Sequence, residues 1–150
     1  MKVGKIMTKK VITIPLQAKL KEVAKILQDS GISGAPVVNE DGELVGIVSE
    51  KDIFKALYPS HAEFYDSPGI WVDLDSLEAK TRDNIYTPVE SFMTKEVVTV
   101  NADASLMQVG SMMMVRGIHR IVVTGNENKI MGIVTRRDIY QKILKTRLGI

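Results

Sequence analysis

Leu44-Val45-Gly46-Ile47-Val48-Ser49-Glu50-Lys51-Asp52-Ile53 decides how this chain folds, because the same pattern occurs twice. Eighty-six positions further on stands Ile130-Met131-Gly132-Ile133-Val134-Thr135-Arg136-Arg137-Asp138-Ile139. Each copy is a short apolar run, which reads as a strand. Each run ends on a hydroxyl residue with an aspartate three places later, close to the capping box that opens a helix. A strand therefore feeds directly into a helix at two equivalent points.

Working outward, the shift of 86 positions aligns the chain on itself without a gap. Met7-Thr8-Lys9 falls on Met93-Thr94-Lys95, Val11 and Thr13 on Val97 and Thr99, and Gly31-Ile32 on Gly117-Ile118. Seventeen of 56 aligned positions are identical, far above chance for a gapless match. An internal repeat of this kind marks a supersecondary unit that cannot bury its apolar face alone.

Each copy predicts the order β-α-β-β-α, an α/β fold. Val11-Ile12-Thr13-Ile14 reads as a β-branched strand ended by Pro15. A helix follows over Lys19–Ser30, with Leu20, Val23, Ala24 and Leu27 on one face and Gly31 as a left-handed C-cap. In the second copy Ser105-Leu106-Met107-Gln108 forms a capping box, and Gly117 closes the helix. Ala35–Val38 and Leu44–Val48 are strands joined by the turn Asn39-Glu40-Asp41-Gly42, where Gly42 can take positive φ. The last helix runs from Glu50 to Leu57, and from Arg136 to about Lys145. The divisions are 1–57 for the first repeat, 58–87 for a connecting segment and 88–150 for the second repeat.

The segment 58–87 holds five of the eight aromatic residues and a net charge of −4, with a short helix expected over Ser76–Arg82. It is too aromatic for a simple flexible linker. Its aromatics either pack on the outer faces of the repeats or form a partner surface or cleft cover. The remainder of the chain carries +6, against a total of +2.

Composition narrows the function classes. The chain has no cysteine, which removes disulfides and thiolate chemistry and suits a reducing cytoplasm. No apolar stretch approaches the ~20 residues of a membrane span. Nucleic-acid binding is not indicated, since no basic stripe with interleaved aromatics is present. Catalysis also finds little support. The two histidines, His61 and His119, lie in unlike contexts. No His/Asp/Glu set has metal-ligand spacing, and no phosphate-binding glycine loop occurs. Six of the eight methionines fall in the second copy, including Met112-Met113-Met114, and are expected to fill its core.

The residues that can carry chemistry sit at the strand-to-helix junctions. The plain structural reading of Ser49–Asp52 and Thr135–Asp138 is a helix cap. A functional reading uses the same geometry: a hydroxyl for phosphate, and a carboxylate whose two oxygens can accept both ribose hydroxyls. His119-Arg120 breaks the symmetry of the repeat, because its counterpart is Ser33-Gly34. Arginine pairs bidentately with phosphate and histidine adds a titratable donor; equally, both can be solvated residues at a strand start.

Together these motifs resemble a tandem pair of CBS repeats (the cystathionine-β-synthase-type repeat), a Bateman module. The resemblance covers Val3–Leu57 and Val89–Leu144. It rests on Ile6-Met7-Thr8, Phe92-Met93-Thr94, Gly31–Val38, Gly117–Val123 and the two Gly-x-x-Ser/Thr-x-x-Asp stretches. It implies two β-α-β-β-α halves packed by pseudo-twofold symmetry through their sheets. It also implies a homodimeric disk of four repeats, and clefts that hold an adenosine-type ligand such as AMP, ADP, ATP or S-adenosylmethionine. The ligand is regulatory; no catalytic residue, metal or enzymatic cofactor is implied, and the signal passes to an effector protein. Carried over by position, one cleft uses Val48, Ser49 and Asp52 with Val98, Thr99, His119 and Arg120. The other uses Val134, Thr135 and Asp138 with Ile12, Thr13, Ser33, Gly34, Ala35 and Pro36, and with Arg136 or Arg137 for phosphate. The alternative is a structural or oligomerisation module with no physiological nucleotide.

Overall fold

The computed structural model of the chain describes residues 1–57 and 84–150. The expected helix over Ser76–Arg82 and the packing of the aromatic segment lie outside the described residues. The chain divides into two compact units. One comprises Met1–Val11, Asp41–Leu44 and Glu96–Ile150; the other comprises Ile12–Glu40 and Val45–Lys95.

The first repeat supplies β1 (Ile14–Pro15), α1 (Leu20–Ser30), β2 (Gly34–Val38), β3 (Leu44–Ser49) and α2 (Glu50–Leu57). Its sheet runs β1-β2-β3, with Ile14 opposite Val37 and Pro15 opposite Val38 in a parallel pairing. The strand expected over Val11–Ile14 is shorter and includes Pro15 rather than stopping before it. Proline lacks only the N–H, and here Leu16 N–H takes the next bond, to Val38 O at 2.9 Å, while Pro15 O accepts from Ala18 N–H. Gly31 ends α1 at φ 64°, and Ile32 N–H reaches back to Leu27 O at 3.0 Å. These are marks of a left-handed helix stop that favours glycine. Leu20, Val23 and Leu27 are buried, as the helical spacing requires.

The second repeat supplies β4 (Thr99–Val100), α3 (Leu106–Arg116), β5 (Arg120–Thr124), β6 (Ile130–Thr135) and α4 (Arg136–Ile143). β5 lies between β4, parallel to it, and β6, antiparallel. Ser105 Oγ caps α3 by accepting from Gln108 N–H at 3.1 Å, one arm of the expected box. The α-helical part of α4 ends at Ile143, and a π-turn over Leu144–Leu148 carries the chain to Gly149. Of the clustered methionines only Met113 is fully buried. Met107 and Met114 are 61% and 82% exposed, so core filling does not account for them.

The compact units do not follow the order of the repeats. Val3, at the head of the first repeat, is buried with Val109, Ile121, Val123 and Val134 of the second. Its backbone N–H donates to Ala104 O at 2.8 Å. A Lys2–Asp103 ion pair lies beside it. The Lys2 ammonium holds the Asp103 carboxyl below the usual range and is itself raised, by their mutual hydrogen bond and charge. Val89, the counterpart of Val3, is buried with Ile14, Val23, Val37 and Val48 of the first repeat.

Equivalent methionines lock both arrangements. Met7 lies on Gly132 and Met93 on Gly46, where an added Cβ would meet sulfur at 2.5 Å in each case. At Gly132 that Cβ would also stand 3.0 Å from the Thr8 carbonyl oxygen, which cannot rotate away. Gly132→Ala is therefore expected to cost about 1–3 kcal/mol by overpacking. Gly46→Ala, opposed only by a flexible thioether, is expected to cost less. Urea denaturation of the two variants checks the order.

Candidate functional site

Both strand-to-helix junctions form as caps. In the second repeat Asp138 Oδ2 accepts from Thr135 N–H at 2.8 Å and from Thr135 Oγ–H at 2.8 Å, while Thr135 Oγ accepts from Asp138 N–H at 3.2 Å. This is a complete capping box. In the first repeat Asp52 Oδ2 accepts from Ser49 N–H at 2.9 Å and from Ser49 Oγ–H at 3.1 Å.

The caps change what these groups can do. A hydroxyl has one proton, and in both junctions it goes to the aspartate. In this arrangement the hydroxyls of both Ser49 and Thr135 serve the helix cap. Each carboxylate has one oxygen saturated by the cap, so a ribose would be met by the other, Oδ1, rather than by both oxygens.

The strand register then settles which residues share a junction within a unit. Arg120 stands opposite Thr135 across the β5–β6 pair. Arg136 N–H donates to His119 O at 2.8 Å, and the Arg136 guanidinium reaches His119 Nε2 at 3.4 Å. That contact is a hydrogen bond when His119 carries its proton on Nδ1. His119 and Arg120 thus adjoin Thr135–Asp138 of their own repeat. The first repeat repeats the backbone link, Glu50 N–H donating to Ser33 O at 2.9 Å. Gly34, Ala35, Pro36 and Val48 are buried beside it; Thr13 is half-buried and Ile12 is 40% exposed. In the second repeat Val134 is buried and Val98 and Thr99 are half-buried.

Two concavities flank these junctions. A groove of about 840 Å³ runs between α3 and α4, floored by Met107, Gly110, Met113, Met114, Tyr140 and Ile143, with His119, Arg136 and Arg137 in its wall. In the other unit a hollow of about 360 Å³ is lined by Asp52, Lys55, Asn84, Thr87, Ser91 and Phe92. Sequence reasoning placed none of the last four in a site, although Phe92 belongs to the Phe92-Met93-Thr94 motif. Only the packing of 84–95 against the first repeat brings them to Asp52. Among the described residues no group of three or more His, Asp or Glu side chains could hold a metal ion. Nor is any described helix long and apolar enough to cross a membrane.

The model of the CBS domain matches residues 3–59 and 89–145. The chain belongs to the CBS-domain family. Such pairs are in general regulatory, non-catalytic modules. The chain is 31% identical to the uncharacterized protein MJ1426 of Methanocaldococcus jannaschii, over 91% of its own length and 88% of that protein's. Among solved structures it resembles the CBS-domain pair of protein MJ0100, crystallised with 5′-methylthioadenosine and S-adenosyl-L-methionine. The identity is 29%, the TM-score 0.73 and the coverage 95% of both chains. It is also 26% identical to the inosine-5′-monophosphate dehydrogenase of M. jannaschii. There it covers 94% of this chain but 23% of that enzyme, a share that leaves most of the dehydrogenase without a counterpart. The match to CBS pairs bears out the α/β fold of two repeats read from sequence.

Proposed function

We propose that this CBS pair is a non-catalytic regulatory module that binds an adenosine-type ligand at its strand-to-helix junctions and passes occupancy to a partner protein. One observation carries the reading. Each junction presents an aspartate whose Oδ2 takes both hydrogen bonds of its own cap, which leaves Oδ1 as the acceptor for a ribose hydroxyl. The solved MJ0100 pair, similar over nearly the whole chain, holds two adenosine derivatives. Isothermal titration calorimetry of the intact chain with AMP, ATP, S-adenosylmethionine and 5′-methylthioadenosine tests it. Saturable binding below millimolar of at least one is expected. No heat from any of them at millimolar concentration, together with an unmoved melting temperature, sinks the proposal.

A second reading, a dimerising scaffold without nucleotide, is favoured by the apolar face of α3 and α4. Met114 and Tyr140 there are 82% and 60% exposed. A homodimer formed through this face serves either reading. The scaffold predicts the same dimer with and without nucleotide in light scattering.

A further inference from the structure

We infer that the groove between α3 and α4 is the docking surface for an acidic amphipathic helix of a partner protein. The inference rests on the reading that this module passes a signal to a partner. It goes beyond that reading by naming the surface and the chemistry of what sits on it.

Both helices belong to the same compact unit. Along α3 the lining residues Met107, Gly110 and Met114 fall at i, i+3 and i+7; along α4 Arg136, Tyr140 and Ile143 fall at i, i+4 and i+7. Side chains at these intervals share one helix face. The groove is therefore about two helical turns long. Gly110 deepens it. Glycine inside a helix is destabilising relative to alanine. Packing does not require one here, because an added Cβ would meet only Ile139 Cγ2, at 3.6 Å, an ordinary contact. The missing side chain leaves a recess between Met107 and Met114, both largely exposed. Methionine is unbranched and polarisable, and adapts to what is laid on it.

Charge selects the occupant. His119, Arg136 and Arg137 line the groove, and no carboxylate does. The segments that build it extend the same sign: 106–116 and 136–148 carry six arginines and lysines against Asp138 alone, a net +5. Among the described residues none of the six pairs with a carboxylate. A second copy brought to this face by a twofold axis would set like charge against like. The counterpart helices α1 and α2 each balance two lysines with two carboxylates, so self-association meets no such repulsion there. A nucleic-acid backbone matches the charge but not the methionines and Tyr140, and a membrane surface is flat where this face is concave. A helix with a row of apolar side chains flanked by glutamates matches both properties.

Fluorescence anisotropy on the intact chain tests the inference. The probe is a labelled synthetic helix with leucines at i, i+4 and i+7 and glutamates on its flanks; the control peptide carries lysine for each glutamate. The acidic peptide is expected to bind saturably, to weaken with added salt, and to bind at least tenfold more tightly than the control. Arg136→Glu/Arg137→Glu should weaken it tenfold or more. Two glutamates in the first turn of α4 suit the helix dipole, so the fold should survive them. Gly110→Leu should abolish binding by filling the recess, without a fall in melting temperature. Equal binding of the two peptides, or none up to millimolar concentration, overturns the inference. A dimer in light scattering that Met114→Glu splits gives the face to a second copy and overturns it too. So does binding of duplex DNA or of anionic vesicles more tightly than the peptide. Absence of nucleotide heat with the peptide still bound overturns the adenosine reading and leaves the docking surface in place.

Discussion

Val3→Asp is expected to unfold the unit built around the second repeat, although Val3 belongs by sequence to the first. Its side chain is fully buried. It packs in one cluster with Val109, Met113, Ile121, Val123, Val134 and Ile139. Removing a fully buried valine forfeits roughly 1.5–3 kcal/mol of apolar transfer. A carboxylate in its place adds several kcal/mol of desolvation with no partner to offset it. The loss rivals the roughly 5–15 kcal/mol that holds a domain together. Val3→Ala, which leaves only a cavity, should cost about 1–3 kcal/mol. Exposed Lys5→Ala should stay within about 0.5 kcal/mol. Hydrogen exchange locates the damage. Protection should vanish from peptides within Glu96–Ile150 and persist in those of α1 and β2. Loss confined to the first repeat would show that the leading segment does not pack as observed.

That exchange of leading segments marks the boundary of what the sequence discloses. Strands and helices were legible because their signals are local. Alternation of Val and Ile, a glycine at φ 64° and a hydroxyl three residues before an aspartate are each set within one turn or one strand. The destination of Val3 and Val89 is non-local. Both repeats carry a valine at the same position, so either could in principle bury its own; nothing in an alternation or a cap tells which. The same limit explains the site. Ser49, Asp52, Thr135 and Asp138 were found from spacing. The sharing of a junction by His119 and Thr135 depends on the β5–β6 register, in which Arg120 faces Thr135. Asn84, Thr87, Ser91 and Phe92 reach Asp52 only through packing across the chain. Local chemistry was readable; the strand register and the long-range packing were not.

Asp138→Ala should separate the two jobs assigned to that residue. As a cap it holds Thr135 N–H and Oγ–H, so the variant should lose about 1 kcal/mol of stability, the usual scale for a helix cap. As a ligand group its Oδ1 would accept from a ribose hydroxyl, and a hydrogen bond to a charged group contributes roughly 1.5–3 kcal/mol. That converts to a ten- to hundredfold loss of nucleotide affinity at about 1.4 kcal/mol per factor of ten. Thr135→Ala is the discriminating companion. It removes the hydroxyl half of the same box and should cost similar stability, yet it keeps the carboxylate, whose Oδ2 loses the hydroxyl bond and retains the backbone N–H of position 135. Affinity should therefore hold in Thr135→Ala while it collapses in Asp138→Ala. Parallel thermal melts and titrations of the two variants read both effects. Equal affinity in the two would assign Asp138 to the helix alone. A fall shared by both in proportion to their lost stability would show that the ligand senses only the order of α4. The expected split, equal in melting and unequal in binding, follows from the cap itself, in which both bonds from Thr135 go to a single carboxylate oxygen.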